Sequence, residues 1–434
     1  MTDKGVRTVL EEFRWRGMVH RTEDGQEVYT PGLDTLLAQE KVTAYIGFDP
    51  SADSLHVGNL LQIMNLVRIQ RFGHNPIAIV GGGTGLIGDP GGKTTERPLL
   101  TREELARNVV HIREQLARYL DFNARNAARL VNNADWLDAI KLMDFLRDVG
   151  KHFTVNYMLA KDSVQGRMTG GISFTEFSYM LLQAYDYHML HQNYGCNLQL
   201  GGSDQWGNIT AGIELIRRLT GHEVHALVTP LIMTSAGVKF GKTEAGAVWL
   251  DAKKTSPFKF YQFWLNTADA DVARYLKFFT LATPDVVAQL EAVTVERPER
   301  REAQRRLADD VTRMTHGETE LVKARRASEV LFGGDVAGLS AQEMLEVFED
   351  VPSISAPRQR LEGEGVALVD LLVESGLAPS RAEGRRLVQS GGVTVNSQRV
   401  TDARAAVTLA DAIEGRVVVL RRGARERRLV RVEG

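Results

Sequence analysis

TAYIGFDPSADSLHVGNL, residues 43–60, is the stretch whose reading decides the fold. Its first six residues are β-branched, aromatic or small, as a strand requires, and a polar loop follows. Leu60, Ile63, Met64 and Val67 then recur with the 3.6-residue period of a helix that buries one face. His56, Val57, Gly58 and Asn59 occupy the junction. In a doubly wound α/β fold such a junction holds phosphates, because unpaired N–H groups and the positive end of the helix dipole converge there. A second strand, residues 76–80, runs into GGGTGLIGDPGGKTTER, residues 81–97. Strand, helix and strand make a βαβ unit whose crossover should be right-handed.

Outward from this unit, the glycine-rich run is not a phosphate loop of the Gly-x4-Gly-Lys-Thr kind, since Ile87 stands where the first glycine is required. It reads either as a turn-rich loop or as close backbone approach to a ligand, with Asp89, Lys93 and Arg97 as charged lining. Thr101 and Glu104 form a capping box for the next helix. Apolar helices follow over residues 140–164, with Phe153, Tyr157 and Met158 expected on an exposed face. The helix over 175–192 is apolar nearly all round, yet Tyr179, Gln183 and Asp186 share one face at i, i+4 and i+7. Buried, each would cost roughly 1–3 kcal/mol if unpaired, so either neighbouring loops or a small polar ligand must supply partners. A strand at 197–200 ends in GGSDQWGN, where Gly201 and Gly202 allow close approach beside Ser203, Asp204 and Gln205. The helix after it carries Arg217 and Arg218 in its last turn. A strand at 227–233 leads to TSAGVKFGKTEAG, with Lys239 and Lys242 among glycines.

At 434 residues the chain is long enough for two or three domains. Its net charge of −2 gives no whole-chain attraction to nucleic acid, so any RNA contact must be local. Cys196 is the only cysteine, which excludes intramolecular disulfides and a thiolate-rich zinc site. The first residues lack a secretory core and no apolar run approaches a membrane span, so a soluble, cytoplasmic protein with no membrane partner is expected. The pattern divides into an α/β domain at 1–254, a helical domain at 255–350, a Pro/Ser/Gly-rich linker at 351–365 and a small α+β module at 366–434. That last module carries 12 Arg against 8 Asp and Glu. Arg381, Arg385 and Arg386 cluster on a helix capped by Ser380, and Arg421, Arg422, Arg425, Arg427, Arg428 and Arg431 lie near the end. This basic excess reads as a solvated face or as RNA binding.

HVGN (56–59) and KFGKT (239–243) look like the two signatures of class I aminoacyl-tRNA synthetases, the HIGH-type and KMSKS-type motifs. Together with GLIGDPGGK, the Tyr179–Gln183–Asp186 helix, LQLGGSDQWGN and the tail SRAEGRRLVQSGGVTVNSQRV, they resemble the bacterial tyrosyl-tRNA synthetases in order and over the whole chain. The resemblance implies a Rossmann-like, doubly wound parallel catalytic sheet, then a helical domain and an S4-like RNA-binding domain. It implies a ligase that activates L-tyrosine with ATP and transfers it to the 3′-terminal adenosine of tRNA(Tyr). His56, Asn59, Ser51, Lys239, Lys242 and Thr243 would serve catalysis. Tyr45, Asp89, Tyr179, Gln183, Asp186, Gln199 and Gln205 would hold tyrosine, with the phenol hydroxyl at Tyr45 and Asp186. Asp49, Lys93, Arg97, Gly202, Asp204 and Lys242 would bind ATP. Arg217, Arg218, Arg381, Arg385 and Arg386 are the candidates for tRNA. Mg²⁺ is expected only as the counter-ion of ATP, with no structural metal, and the family implies a homodimer, with the apolar face around Phe153 to Met158 expected to form part of its interface. Asn59 replaces the second His of the first motif, but an amide can donate from a similar position. The rivals are a tryptophanyl-tRNA synthetase and a catalytically inactive synthetase-like RNA-binding protein. Retention of His56, Lys239 and Lys242 speaks against the second.

Overall fold

The computed structural model describes residues 8–90, 100–168, 170–238, 240–243, 246–331, 334–336, 338–349, 351–423 and 426–433. The chain forms two compact units, Met1–Ser256 with Phe263–Thr315, and Pro257–Gln262 with His316–Gly434.

In the first unit, β1 (Thr43–Phe48), β2 (Asn75–Val80), β3 (Arg129–Asn132), β4 (Leu198–Gly202) and β5 (His225–Thr229) form a parallel sheet in the order β3-β2-β1-β4-β5. Successive strands move outward on one side of β1 and then resume on its other side. The switch between β1 and β4 opens a crevice at their carboxyl ends, where ligands bind in such folds. The β1 strand and the helix Val57–Arg71 lie where the periodicity puts them, with Leu60, Ile63, Met64 and Val67 buried. The capping box at Thr101 and Glu104 is formed. The helix Phe174–Tyr194 runs two residues beyond its expected end and stops at Gly195, which takes the left-handed φ of +62°.

Two buried arginines tie the helix Asp269–Phe279 to this unit. Arg68 donates to the carbonyls of Lys277, Phe278 and Thr280 at 3.0, 2.8 and 3.0 Å. Arg16 reaches Lys277 O and Ala282 O at 2.7 and 3.0 Å while pairing with Glu12. Both guanidinium groups satisfy carbonyls that a helix end leaves without partners, and their charge complements the negative end of its dipole.

Two expectations are corrected here. The strand proposed for 227–233 ends at Thr229, and the next residues form a loop that turns at Thr234–Gly237. Phe153 and Met158 face inward, in one core with Phe145, Met180 and Leu181. Among the apolar groups that do reach solvent from this region are Phe174 (77% exposed), Met143 (73%) and Leu142 (70%). The N-terminal helix is Val9–Arg16, capped by Thr8. Among the described residues no helix is long and apolar enough to cross a membrane.

Later in the first unit, β6 (Lys242–Thr243) and β7 (Gly246–Ala247) make a small antiparallel hairpin. In the second unit, β8 (Ser353–Pro357), β10 (Val393–Val395), β11 (Gln398–Val400), β13 (Val417–Arg422) and β14 (Glu426–Glu433) form a sheet in the order β11-β10-β13-β14-β8. A pair, β9 (Val366–Ala367) and β12 (Ala406–Val407), lies beside it. The stretch expected as a linker therefore supplies an edge strand, β8, parallel to β14. Val418, Leu420 and Val430 join the core formed with Leu368, Leu371 and Val388. Val417, Val419 and Leu429 point the other way, against Val330, Met344 and Phe348. Helices thus cover both faces of β13, which explains its unbroken apolar run.

Candidate active site

At the carboxyl ends of β1, β2 and β4 lies a cavity of about 420 Å³. Tyr45 rises into it from β1, Gln199 from β4 and Asp186 from the helix Phe174–Tyr194. Asp186 is held from behind, since Trp136 Nε1 donates to Oδ1 at 2.8 Å and Asn133 Nδ2 to Oδ2 at 2.9 Å. Burial pushes its carboxyl up to about 7, opposed by these two donors and reinforced by nearby Asp49. The buried hydroxyl of Tyr45 and the buried Oε1 of Gln199 have no hydrogen-bond partner among the described residues. Burial and the charge of Asp186 push the Tyr45 phenol well above its usual value, so it stays a donor. Unpaired polar atoms this deep are costly unless a ligand pairs them.

One level up, Tyr179 donates to Asp49 Oδ2 at 2.7 Å, and Thr84 Oγ1 donates to Asp49 Oδ1 at 2.9 Å. Asn133 Nδ2 reaches Thr84 Oγ1 at 2.9 Å, which joins Asp49 and Asp186 into one network. Only glycine fits at 81, where an added Cβ would collide with the Asp49 and Thr84 side chains. Asn208 Nδ2 donates to Gln183 Oε1 at 3.1 Å, leaving that carbonyl a second lone pair. Gln205 Nε2 donates to Asp89 Oδ2 at 2.7 Å and, more weakly, to Asp204 Oδ2 at 3.2 Å. The oxygens of Tyr179, Gln183 and Asp89 are thus acceptors beside several carboxylates, a setting suited to an ammonium group.

At the mouth, His56 caps the helix Val57–Arg71: its Nδ1 accepts from Gly58 N at 3.0 Å, and its backbone N–H donates to Asn59 Oδ1 at 3.1 Å. An accepting Nδ1 leaves the proton of the neutral ring on Nε2, and an accepting Oδ1 leaves Nδ2 of Asn59 as donor. Gly58 permits this geometry, because a Cβ there would lie 2.7 Å from His56 Cε1. Ser51, Gly202 and Asp204 complete the rim.

The cavity therefore gathers Tyr45, Asp49, Ser51, His56, Asn59, Asp89, Tyr179, Gln183, Asp186, Gln199, Gly202, Asp204 and Gln205. Lys93, Arg97, Lys239 and Arg425 lie outside the described residues, and only the backbone of Lys242 and Thr243, in β6, is described. Arg217 and Arg218 pair with Glu214 away from the cavity. In the second unit Arg381 pairs with Asp370 and Arg386 with Glu383, while Arg385 is exposed. Arg422 and Arg428 are partly structural, donating to Leu377 O and Ser375 O at 2.9 and 3.0 Å. Thr84, Asn133, Trp136 and Asn208 are functional candidates that the motifs did not flag. Asn133 follows the end of β3, a strand not expected from the sequence, so the strand-end rule that singled out HVGN has nothing to act on there. Among the described residues no group of three His, Cys, Asp or Glu is placed to hold a metal ion.

A family model described as tRNA synthetases class I (W and Y) matches residues 37–333. One described as the tyrosine–tRNA ligase SYY-like C-terminal domain matches residues 343–430. The chain is 58% identical over 428 residues to a tyrosine–tRNA ligase of Roseiflexus castenholzii, covering 98% of this chain and 99% of that one. It is 52% identical over 425 residues to one of Geobacillus kaustophilus, with 98% and 99% covered. Among solved structures, a C-terminally truncated mitochondrial tyrosyl-tRNA synthetase from Aspergillus nidulans aligns at a TM-score of 0.67 and 30% identity, over 76% of this chain and 95% of that one. A tyrosyl-tRNA synthetase from Archaeoglobus fulgidus, 18% identical with a TM-score of 0.51 over 73% and 98% of the two chains, shares the fold.

Proposed function

The chain belongs to the class I tRNA synthetases of the tryptophan and tyrosine group and is a tyrosine–tRNA ligase, and we propose a role in that reaction for each residue of its site. Its partners are tyrosine, ATP and tRNA. In the first step a tyrosine carboxylate oxygen bonds to the α-phosphorus of ATP, and the bond to the bridging oxygen breaks, so pyrophosphate leaves with the electron pair. No protein nucleophile is required, and catalysis is positioning plus stabilisation of growing charge. In the second step the ribose 2′-hydroxyl of the terminal adenosine attacks the tyrosyl carbonyl and AMP departs.

Tyr45 and Asp186 receive the phenol hydroxyl, Asp186 accepting its proton in a hydrogen bond. Tyr179, Gln183 and Asp89 accept from the ammonium, and Gln205 lies near the carboxylate. Gln199 lines the pocket. Asp49, Gly202 and Asp204 hold the nucleoside side, and Ser51 offers a hydroxyl from the loop. His56 through Nε2–H and Asn59 through Nδ2–H donate to the phosphates from a helix start whose dipole favours anions. Lys93, Arg97, Lys239 and Lys242 neutralise the leaving pyrophosphate, and Thr243 offers a hydroxyl beside them. Mg²⁺ enters with ATP, coordinated mainly by phosphate oxygens and water, as its reluctance to dehydrate favours.

The observation that carries this reading is the unpartnered Tyr45 hydroxyl beside the buried Asp186. A site built to pair with a hydroxyl rejects the analogue lacking one, tyrosyl-tRNA synthetases being the known illustration. ATP–pyrophosphate exchange with each of the twenty amino acids tests it. Exchange with tyrosine alone is expected, and exchange with tryptophan in its place would overturn it.

The second unit, through Arg381, Arg385 and Arg386, grips tRNA by shape and phosphate, with Arg217 and Arg218 as further contacts. With Phe153 and Met158 buried, the homodimer interface draws instead on exposed apolar side chains such as Leu142, Met143 and Phe174. The protein works in the cytoplasm.

A further inference from the structure

We propose that Phe240 is a positioning residue for tyrosine activation: its ring, seated in an aromatic socket, fixes the stretch of loop flanked in sequence by Lys239 and Lys242. This rests on the reading of the site as a tyrosine-activating one.

The loop that carries Phe240 leaves Leu231, Met233 and Val238 exposed, whereas Phe240 is only 8% exposed. Its ring lies 4.9 Å from that of Tyr275 and stacks on Phe279 at 5.1 Å with an interplanar angle of 19°. Phe263 and Trp264 close the socket at 5.6 Å each. Such offset and edge contacts are directional, so the socket sets the ring's orientation as well as its depth. Two polar fastenings hold the same loop to the helix Asp269–Phe279. Asp271 accepts from Ser235 N at 3.0 Å and Ser235 Oγ at 2.9 Å, and Arg274 donates to Met233 O at 2.6 Å.

On its other side the loop touches the first signature motif. Gly241 has a φ of +81°, and a Cβ there would lie 2.8 Å from Val57 Cγ2. Gly241 O accepts from Val248 N at 3.2 Å, and Val248 O accepts from Val57 N at 2.9 Å. The peptide after Phe240 is thus wedged against the helix turn that carries His56 and Asn59. With the ring locked on one side and Gly241 on the other, the separation between the two signature motifs is set by packing. Without the ring, the Phe240–Gly241 backbone would lose its seat against the first motif, and charge stabilisation by this motif would be less well positioned.

The test is single-turnover tyrosyl-adenylate formation against ATP concentration, with tyrosine affinity measured by equilibrium dialysis, in Phe240→Ala, Phe240→Leu and Phe240→Met. Misplacing a positioned group by ~1 Å costs about 10²-fold in rate, so Phe240→Ala should slow adenylate formation at least about 10-fold. Its tyrosine Kd should stay within about twofold. Phe240→Met, which refills the socket with a flexible apolar chain, should regain most of the rate. Phe240→Leu should fall between the two and carries the test where the alanine variant does not fold. A rate unchanged in Phe240→Ala or Phe240→Leu overturns the proposal. So does a loss of tyrosine affinity equal to the loss of rate, which would mark a general structural role. Absence of tyrosine-dependent adenylate formation in the unaltered protein would instead refute the underlying reading.

Discussion

The Asn59 side chain uses one end of its amide for folding and leaves the other for chemistry. Oδ1 accepts the His56 N–H in the capping box, and Nδ2 is the donor assigned to ATP. Asn59→Asp separates the two jobs, because a carboxylate still accepts and suits a helix N-terminus. Its thermal midpoint should stay close to that of the unaltered protein. Adenylate formation should fall by about 10²-fold or more, since a donor to developing phosphate charge becomes an anion. Equal activity in a single-turnover assay would remove Asn59 from the chemistry. Asp186 offers a second test through pH. Its carboxyl, raised to about 7, is a full acceptor for the phenol only when ionised, so tyrosine binding should weaken as pH falls through that value. Because this folded value lies above the usual 3.8, the fold takes up a proton between them, and the group's contribution to stability declines as pH rises across that window. Asn133 donates to Asp186 and lowers its value, so Asn133→Ala should move the midpoint of tyrosine binding to higher pH. An unmoved profile, read by equilibrium dialysis, would show that another group titrates.

At the scale of elements, the strand ends do the placing. The β1 strand delivers Tyr45 to the proposed amino-acid side of the cavity and, through its following loop, His56 to the proposed nucleotide side. The end of β2 must come close enough for Thr84 to reach Asp49, and Gly81 is what permits it. Gly81→Ala puts a methyl group where Asp49 and Thr84 now meet. Asp49 should then lose its bond with Tyr179, and tyrosine affinity should drop by about 10-fold or more while the sheet stays intact. Isothermal titration with tyrosine checks this, and native affinity would show that the cluster can move aside without consequence. The helix Phe174–Tyr194 could be read from sequence as apolar with a polar face, because its period survives burial. That Trp136 and Asn133 stand behind Asp186 could not be read that way, since they come from about 50 positions away along the chain.

For the whole molecule, the composition change near residue 366 overstates the independence of the C-terminal module. Helices at Glu318–Leu331 and Ala341–Val347 pack on Val417, Val419 and Leu429, beyond the expected boundary. A chain ending at residue 365 would leave Val330, Met344 and Phe348 without that cover. Each large apolar side chain re-exposed costs roughly 2 kcal/mol, so this truncation should bind a hydrophobic dye and aggregate on size-exclusion chromatography. Its soluble fraction should retain ATP–pyrophosphate exchange and lose tRNA charging. A monodisperse truncation with no dye binding would contradict the two-faced packing of β13.

The sequence by itself determined the parallel α/β class, the order of the signature motifs and thirteen of the residues that line the cavity. The class and the polar stripe are legible because helix and strand periods, caps and glycines act over a few residues and polar groups on an apolar helix demand partners, whereas Tyr45, Asp49, Ser51 and Gln199 are marked only by the family resemblance. Only the tertiary structure decided who those partners are. Tyr179 meets Asp49 across 130 positions, Phe153 turns inward while Phe174 turns outward, and Phe240 finds its socket in a helix that begins at Asp269. Burial periodicity says that a side chain leaves water, but which surface receives it depends on chain crossings that no local pattern records. At residues 43–60 the two kinds of information meet: the motif marks His56 and Asn59 for the chemistry proposed for them, and packing against Gly241 and Val248 gives their helix turn its place.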